Sequence, residues 1–172
     1  MNTSLIPTND TTLVLNDQSL IDLLESKIMK LKAKEAQLVP GGLNIPDNYG
    51  NLALHNAILN NYTLFEINEI LKNNENAVSW RRTDGKLPIH LVKSHELLVL
   101  ISEKYPDGVK LKDQYGRLPI HYFIQNSQEY YSKPNDFLNG VKLLVTMFPE
   151  SLTQKDKDNY IPLHYALQVL FT

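Results

Sequence analysis

Histidine is the side chain best suited to acid–base or metal chemistry near neutral pH, and four of the chain's five histidines sit in one recurring phrase. The phrase reads Asp47-Asn48-Tyr49-Gly50-Asn51-Leu52-Ala53-Leu54-His55 in its first copy and Arg82-Thr83-Asp84-Gly85-Lys86-Leu87-Pro88-Ile89-His90 in its second. The third is Asp113-Gln114-Tyr115-Gly116-Arg117-Leu118-Pro119-Ile120-His121, and the fourth is Asp156-Lys157-Asp158-Asn159-Tyr160-Ile161-Pro162-Leu163-His164. The imidazoles follow one another at 35, 31 and 43 residues (90 − 55, 121 − 90, 164 − 121). His95 alone lies outside the pattern, beside Glu96, where a helix start is expected, and a surface or capping role suits it. Gly41-Gly42 lacks the Gly-Lys-Ser/Thr that would make it a phosphate loop and reads as a plain turn. No serine-hydrolase elbow, zinc-protease helix or calcium loop occurs, and Lys155 and Lys157 spoil Asp156-Lys157-Asp158 as a cation site.

The elements that must carry these histidines follow from the flanking residues. Five residues before each His stands Gly50, Gly85, Gly116 or Asn159, the types that tolerate φ > 0 in a tight turn. Two residues before it stands Pro88, Pro119 or Pro162, with Ala53 in the first copy, and Pro is preorganised for a first helical turn. Upstream, Tyr105-Pro106, Phe148-Pro149 and Val39-Pro40 mark helix stops, and Leu43, Val78, Val109 or Leu152 stands twelve residues before each His. Apolar residues recur at helical spacing in Leu64–Leu71, His95–Tyr105 and Phe137–Phe148. Each unit is expected to run as turn, short helix, loop, longer helix and stop. Stacked helices lie ~8–10 Å apart, while zinc ligands converge within about 2.3 Å of the metal. Equivalent histidines on successive units therefore cannot share an ion. Each is expected to bond the turn backbone and hold turn to helix. No catalytic residue, no metal site and no cofactor is expected.

The chain has 172 residues, no cysteine and a net charge of −2. Disulfide frameworks and thiolate chemistry are excluded, and the charge balance gives no general pull toward nucleic acid or an anionic membrane. The N-terminus carries Asp10 and Asp17 and lacks a basic, apolar leader, and no run is long and apolar enough to span a bilayer. An intracellular protein, cytoplasmic or nuclear, is expected.

With four copies in register, Pro40 to the C-terminus resembles the ankyrin repeat family, whose repeat carries Thr-Pro-Leu-His-x-Ala on a β-turn and two helices. Ala57 and Ala166 fill the alanine slot, while Val92 and Phe123 replace it, which predicts looser or shifted packing there. The resemblance implies an all-α helix-turn-helix solenoid at 40–172, of about four units with the last incomplete. It implies turns projecting as fingers, first helices lining a concave face, second helices on a convex one, and a protein as partner. Residues 1–17 are expected to be a flexible segment and 18–39 a long capping helix, with Leu20, Leu23, Leu24, Ile28, Leu31 and Leu38 on its apolar face. An insertion at 128–134 joins two helices and holds Tyr130 and Tyr131, a second candidate contact. No second helix follows the last unit's first, so Leu167–Phe171 is expected to be partly exposed, cut from a longer chain or covered by another.

Trp, Tyr and Arg are enriched at binding hot spots. Tyr49, Trp80, Arg81, Arg82, Tyr115, Arg117, Lys157 and Tyr160 lie in or beside the turns, and Trp80-Arg81-Arg82 holds the only Trp. The residue after each His (Asn56, Leu91, Tyr122 and Tyr165) faces the concave side if the family pattern holds. The leading expectation is a non-enzymatic protein-interaction module using these residues, without small-molecule substrate, nucleic acid or membrane. The alternatives are an accessory subunit fixed in a larger assembly and the regulatory segment of a longer enzyme. The bland reading stays open beside them: Tyr at turns packs on its neighbour, and Trp80 is buried between units.

Overall fold

A computed structural model describes residues 44–126 and 134–170. The expected helix at 18–39, the Gly41-Gly42 turn, and Tyr130 and Tyr131 of the insertion lie outside the described residues. Those described are all-helical, with no strand among them. Six α-helices lie among the described residues: α1 (Ala53–Leu59), α2 (Leu64–Asn73), α3 (His95–Lys104), α4 (Pro119–Gln125), α5 (Pro134–Met147) and α6 (Pro162–Leu170). The expected first helix of the second phrase is only a 3₁₀ turn, Pro88–Leu91. No described helix is long and apolar enough to cross a membrane.

The phrase builds the same turn four times. Its first residue accepts from the fourth, as in Gly50 N to Asp47 O (2.9 Å), Gly85 N to Arg82 O (2.9 Å), Gly116 N to Asp113 O (3.1 Å) and Asn159 N to Asp156 O (3.1 Å). The fourth residue is left-handed throughout, with φ of 77°, 78°, 75° and 64°. Where that residue is glycine, a second constraint applies. A Cβ on Gly50 or Gly85 would lie 2.8 Å from the backbone nitrogen of Thr83 or Gln114 in the following turn. Asn159 belongs to the last of the four turns.

Successive turns are joined by one backbone hydrogen bond each: Thr83 N to Tyr49 O (3.1 Å), Gln114 N to Asp84 O (3.2 Å) and Lys157 N to Tyr115 O (2.9 Å). Behind them α1, the 88–91 turn, α4 and α6 pack in that order. On the far side, α3 packs on α5. Side chains cap two of these outer helices: Thr63 Oγ1 accepts from Glu66 N (3.3 Å) at α2, and Ser94 Oγ accepts from Leu97 N (3.3 Å) at α3.

Each outer helix then ends the same way. Asn74, Tyr105 and Phe148 have φ near −150° (−153°, −143°, −146°) and lead into 3₁₀ turns at 75–79, 106–110 and 149–153. Pro106 and Pro149 push the preceding residue out of the helical region, so the stop is also the start of a tighter turn. Glu75 does the same without proline.

The core of the described residues has Leu54, Ile67, Leu71, Leu87, Leu98, Ile101, Leu118, Ile120 and Leu144 fully buried. At Val92 and Phe123, where looser or shifted packing is expected, both side chains are buried. Phe123 is buried and stacks on Phe137 at 6.1 Å between ring centroids. It fits because α5 has Gly140 opposite, where a Cβ would lie 2.2 Å from Phe123 Cζ. A large side chain on the inner helix is matched by an absent one on the outer helix.

Candidate functional site

Three of the four phrase histidines are fully buried, and all four make the same local bond. Nδ1 accepts from the backbone N–H three residues back: Leu52 to His55 (3.3 Å), Leu87 to His90 (3.1 Å), Leu118 to His121 (3.0 Å) and Ile161 to His164 (2.9 Å). A nitrogen that accepts carries no proton, so the proton is on Nε2 and the ring is neutral. Nε2–H then donates across units, from His90 to Leu111 O (3.1 Å) and from His121 to Gln154 O (3.2 Å). His55 Nε2 is buried without a partner, although the Trp80 backbone lies near enough to favour its protonated form. Burial pushes His55 and His90 down to about 4 and lowers His121 as well. These rings clamp turn to helix and unit to unit. Among the described residues no three His, Asp or Glu side chains gather as metal ligands would.

The turn carboxylates form a second ladder. Asp47, Asp113 and Asp156 each accept two backbone N–H bonds at 2.9 Å through Oδ1. Through Oδ2, Asp113 accepts Tyr122 OH (2.6 Å), and Asp156 accepts Tyr165 OH (2.5 Å). Burial, followed by the bond to the carboxylate, raises both phenols. Burial also works to raise Asp156, but bonds from Tyr165, the turn backbone and Arg117 outweigh it and hold that carboxyl below its usual range.

The residues expected at a binding surface therefore divide. Tyr122 and Tyr165 are buried (8% and 3%), with edges of His90 and His121 against them, so the structure places them inside, away from any concave surface. Arg117 is mostly covered: its guanidinium lies 5.1 Å from the Tyr165 ring centre, and its Nε lies 3.2 Å from Asp156 Oδ2. Arg82 is half-buried and pairs with Asp84 at 3.4 Å. Both arginines hold turns together.

Tyr49 (68%), Tyr115 (47%), Trp80 (42%) and Tyr160 (41%) are exposed along the turn edge. Trp80 is not buried between units, though its Nε1 donates to Gly50 O (3.0 Å) and fixes the ring beside the first turn. Arg81 is exposed too, and donates to Gly85 O and Lys112 O. The result is a row of aromatic faces and cations on a backbone held by carbonyls, carboxylates and imidazoles. Lys112 escapes the sequence analysis, and Lys155 enters it only as a charge beside Asp156; each stands at the position of Arg81 in its own unit.

Comparison with protein-family models and with curated proteins finds no match.

At the far end of the packed row Leu152 (45%), Leu163 (60%) and Leu167 (44%) are exposed. Val78 and Val109, at the register of Leu152, are buried beneath the next unit. Of the end expected to be partly exposed, Leu167–Phe171, Leu167 is exposed and Val169 half-buried, while the side chains of Leu170 and Phe171 lie outside those described.

Proposed function

We propose that the chain is a non-enzymatic, ankyrin-type solenoid that binds another protein along its turn edge. The observation that carries this reading is the division of side chains along that edge. The residues with bonding capacity, His90, His121, Asp113 and Asp156, are spent on holding the backbone. Tyr49, Trp80 and Tyr115 stand exposed in successive units. Exposed aromatic rings on a rigid support lose little entropy on binding and are the usual anchors of an interface. Repetition of one hydrogen-bonded turn supports the solenoid, because each unit buries its apolar face only by stacking on the next.

The test is affinity capture with the intact protein beside a Tyr49→Ser/Tyr115→Ser variant. Neither ring is buried, so circular dichroism should report an unchanged fold. A protein enriched by the parent and reduced roughly tenfold with the variant supports the reading. Equal enrichment by both removes the turn edge as the binding surface.

A further inference from the structure

One register position of the turns carries a cation in three successive units. Arg81, Lys112 and Lys155 each stand immediately before the first residue of their turn, and all are exposed. Arg81 donates to Lys112 O (3.1 Å), and Lys112 Nζ donates to Lys155 O (2.9 Å). The two side chains are thus laid along the stack, each reaching to the same position in the next unit. Other cations of the turns face carboxylates: Arg82 and Lys86 pair with Asp84, and Arg117 pairs with Asp156 and Asp158. Arg81, Lys112, Lys155 and the nearby exposed Lys157 are in no ion pair among the described residues. These bonds fix the charges of Arg81 and Lys112 in place, and none of the four cations meets a counter-charge among the described residues.

We propose that this row docks an extended acidic peptide whose carboxylates recur at about every third residue. The proposal rests on the reading of the turn edge as a protein-binding surface and names its partner's chemistry. Each unit adds two chain segments to the edge, so successive cations are of the order of two strand spacings apart, ~10 Å. Three residues of extended chain span ~10 Å as well. Because Arg81 and Lys112 are already held by backbone carbonyls, little side-chain freedom is lost when they meet a carboxylate. Trp80 and Tyr115 beside the row offer apolar contact to the intervening residues. A nucleic acid fits less well: a DNA strand carries a charge about every 3.4 Å along its axis, far denser than cations spaced ~10 Å.

The probe is a fluorescein-labelled synthetic peptide with Glu at every third position among Ser and Gly, titrated with the full chain by fluorescence anisotropy. Saturable binding is expected, weakening several-fold as salt rises from about 50 to about 200 mM. Arg81→Gln/Lys112→Gln/Lys155→Gln should lose roughly tenfold or more. Arg81 and Lys112 also bond the backbone, so two further variants separate charge from folding. Arg81→Lys/Lys155→Arg should keep binding, and Lys155→Gln/Lys157→Gln should lose several-fold. Equal binding by the triple variant, or preferential binding of an oligothymidylate of equal charge, overturns the proposal. A partner captured by the triple variant but lost with Tyr49→Ser/Tyr115→Ser would refute the acidic peptide and leave the binding edge standing. Retention by both variants would remove both.

Discussion

A buried imidazole that must stay neutral makes stability depend on pH in a definite direction. His55 and His90 titrate near 4 in the folded chain and near 6.5 when exposed. The unfolded chain then binds more protons than the folded one between these values, so acid favours unfolding. The contribution is present in full above pH 6.5 and is lost as pH falls toward 4. Each ring accounts for roughly 3 kcal/mol over that window. Urea midpoints measured at pH 7.5 and 4.5 should differ accordingly, with most of the loss complete before pH 4. His121→Ala removes the acceptor for Leu118 N–H and the donor to Gln154 O, one buried and one partly buried bond, and should cost about 3 kcal/mol at pH 7. His121 is lowered as well, so the substitution should also flatten part of the pH slope, and an unchanged slope would leave the dependence to His55 and His90 alone.

Elements meet here through matched shapes. The Phe123 ring occupies the space that Gly140 leaves on α5, and Gly140→Ala puts a methyl group 2.2 Å from Phe123 Cζ. Neither backbone nor ring can yield that far without moving α5 off α4, so a loss of about 2–3 kcal/mol is expected. Combining it with Phe123→Leu should recover part of the loss, because two residues in direct contact do not act additively. Chemical denaturation of the single and double variants measures the coupling, and strict additivity would contradict the packing described. The turns obey a similar rule. Gly85→Ala faces both φ +78° and the backbone of the next turn at 2.8 Å, and should be strongly destabilising by the same measurement.

At the scale of the described residues, backbone hydrogen bonds join each turn to the next, and in the proposed solenoid cohesion passes from unit to unit. Asp156 gathers the last turn and α6, accepting from Asp158 N, Tyr160 N, Tyr165 OH and Arg117 Nε. Asp156→Ala should therefore loosen α6 and the 156–160 turn while leaving α1 and α2 intact, since coupling in a stack decays with each interface. Hydrogen exchange should show protection reduced tenfold or more in residues 160–169, and unchanged protection in residues 53–73. Uniform loss along the chain would mean that the stack opens as one body.

Much of this organisation was legible in local sequence, for a physical reason. Turn type, helix start and helix stop depend on φ preferences and on bonds made within a few residues, which Gly85, Pro119 and the histidines declare by themselves. The all-helical class, the outer helices and the imidazole-to-backbone bonds follow from that. The fate of each exposed-looking side chain did not, because it depends on partners beyond the local bonds of turn and helix start, 9 residues away for Tyr122 and 39 for Arg117. Whether Tyr122 points outward or donates to Asp113, whether Arg117 is a contact or a staple, and whether Phe123 loosens the core or meets Gly140 are decided only when the elements pack. The row of Arg81, Lys112 and Lys155 likewise emerges only when equivalent positions are brought side by side, since burial and counter-charge are properties of the surrounding fold rather than of a residue.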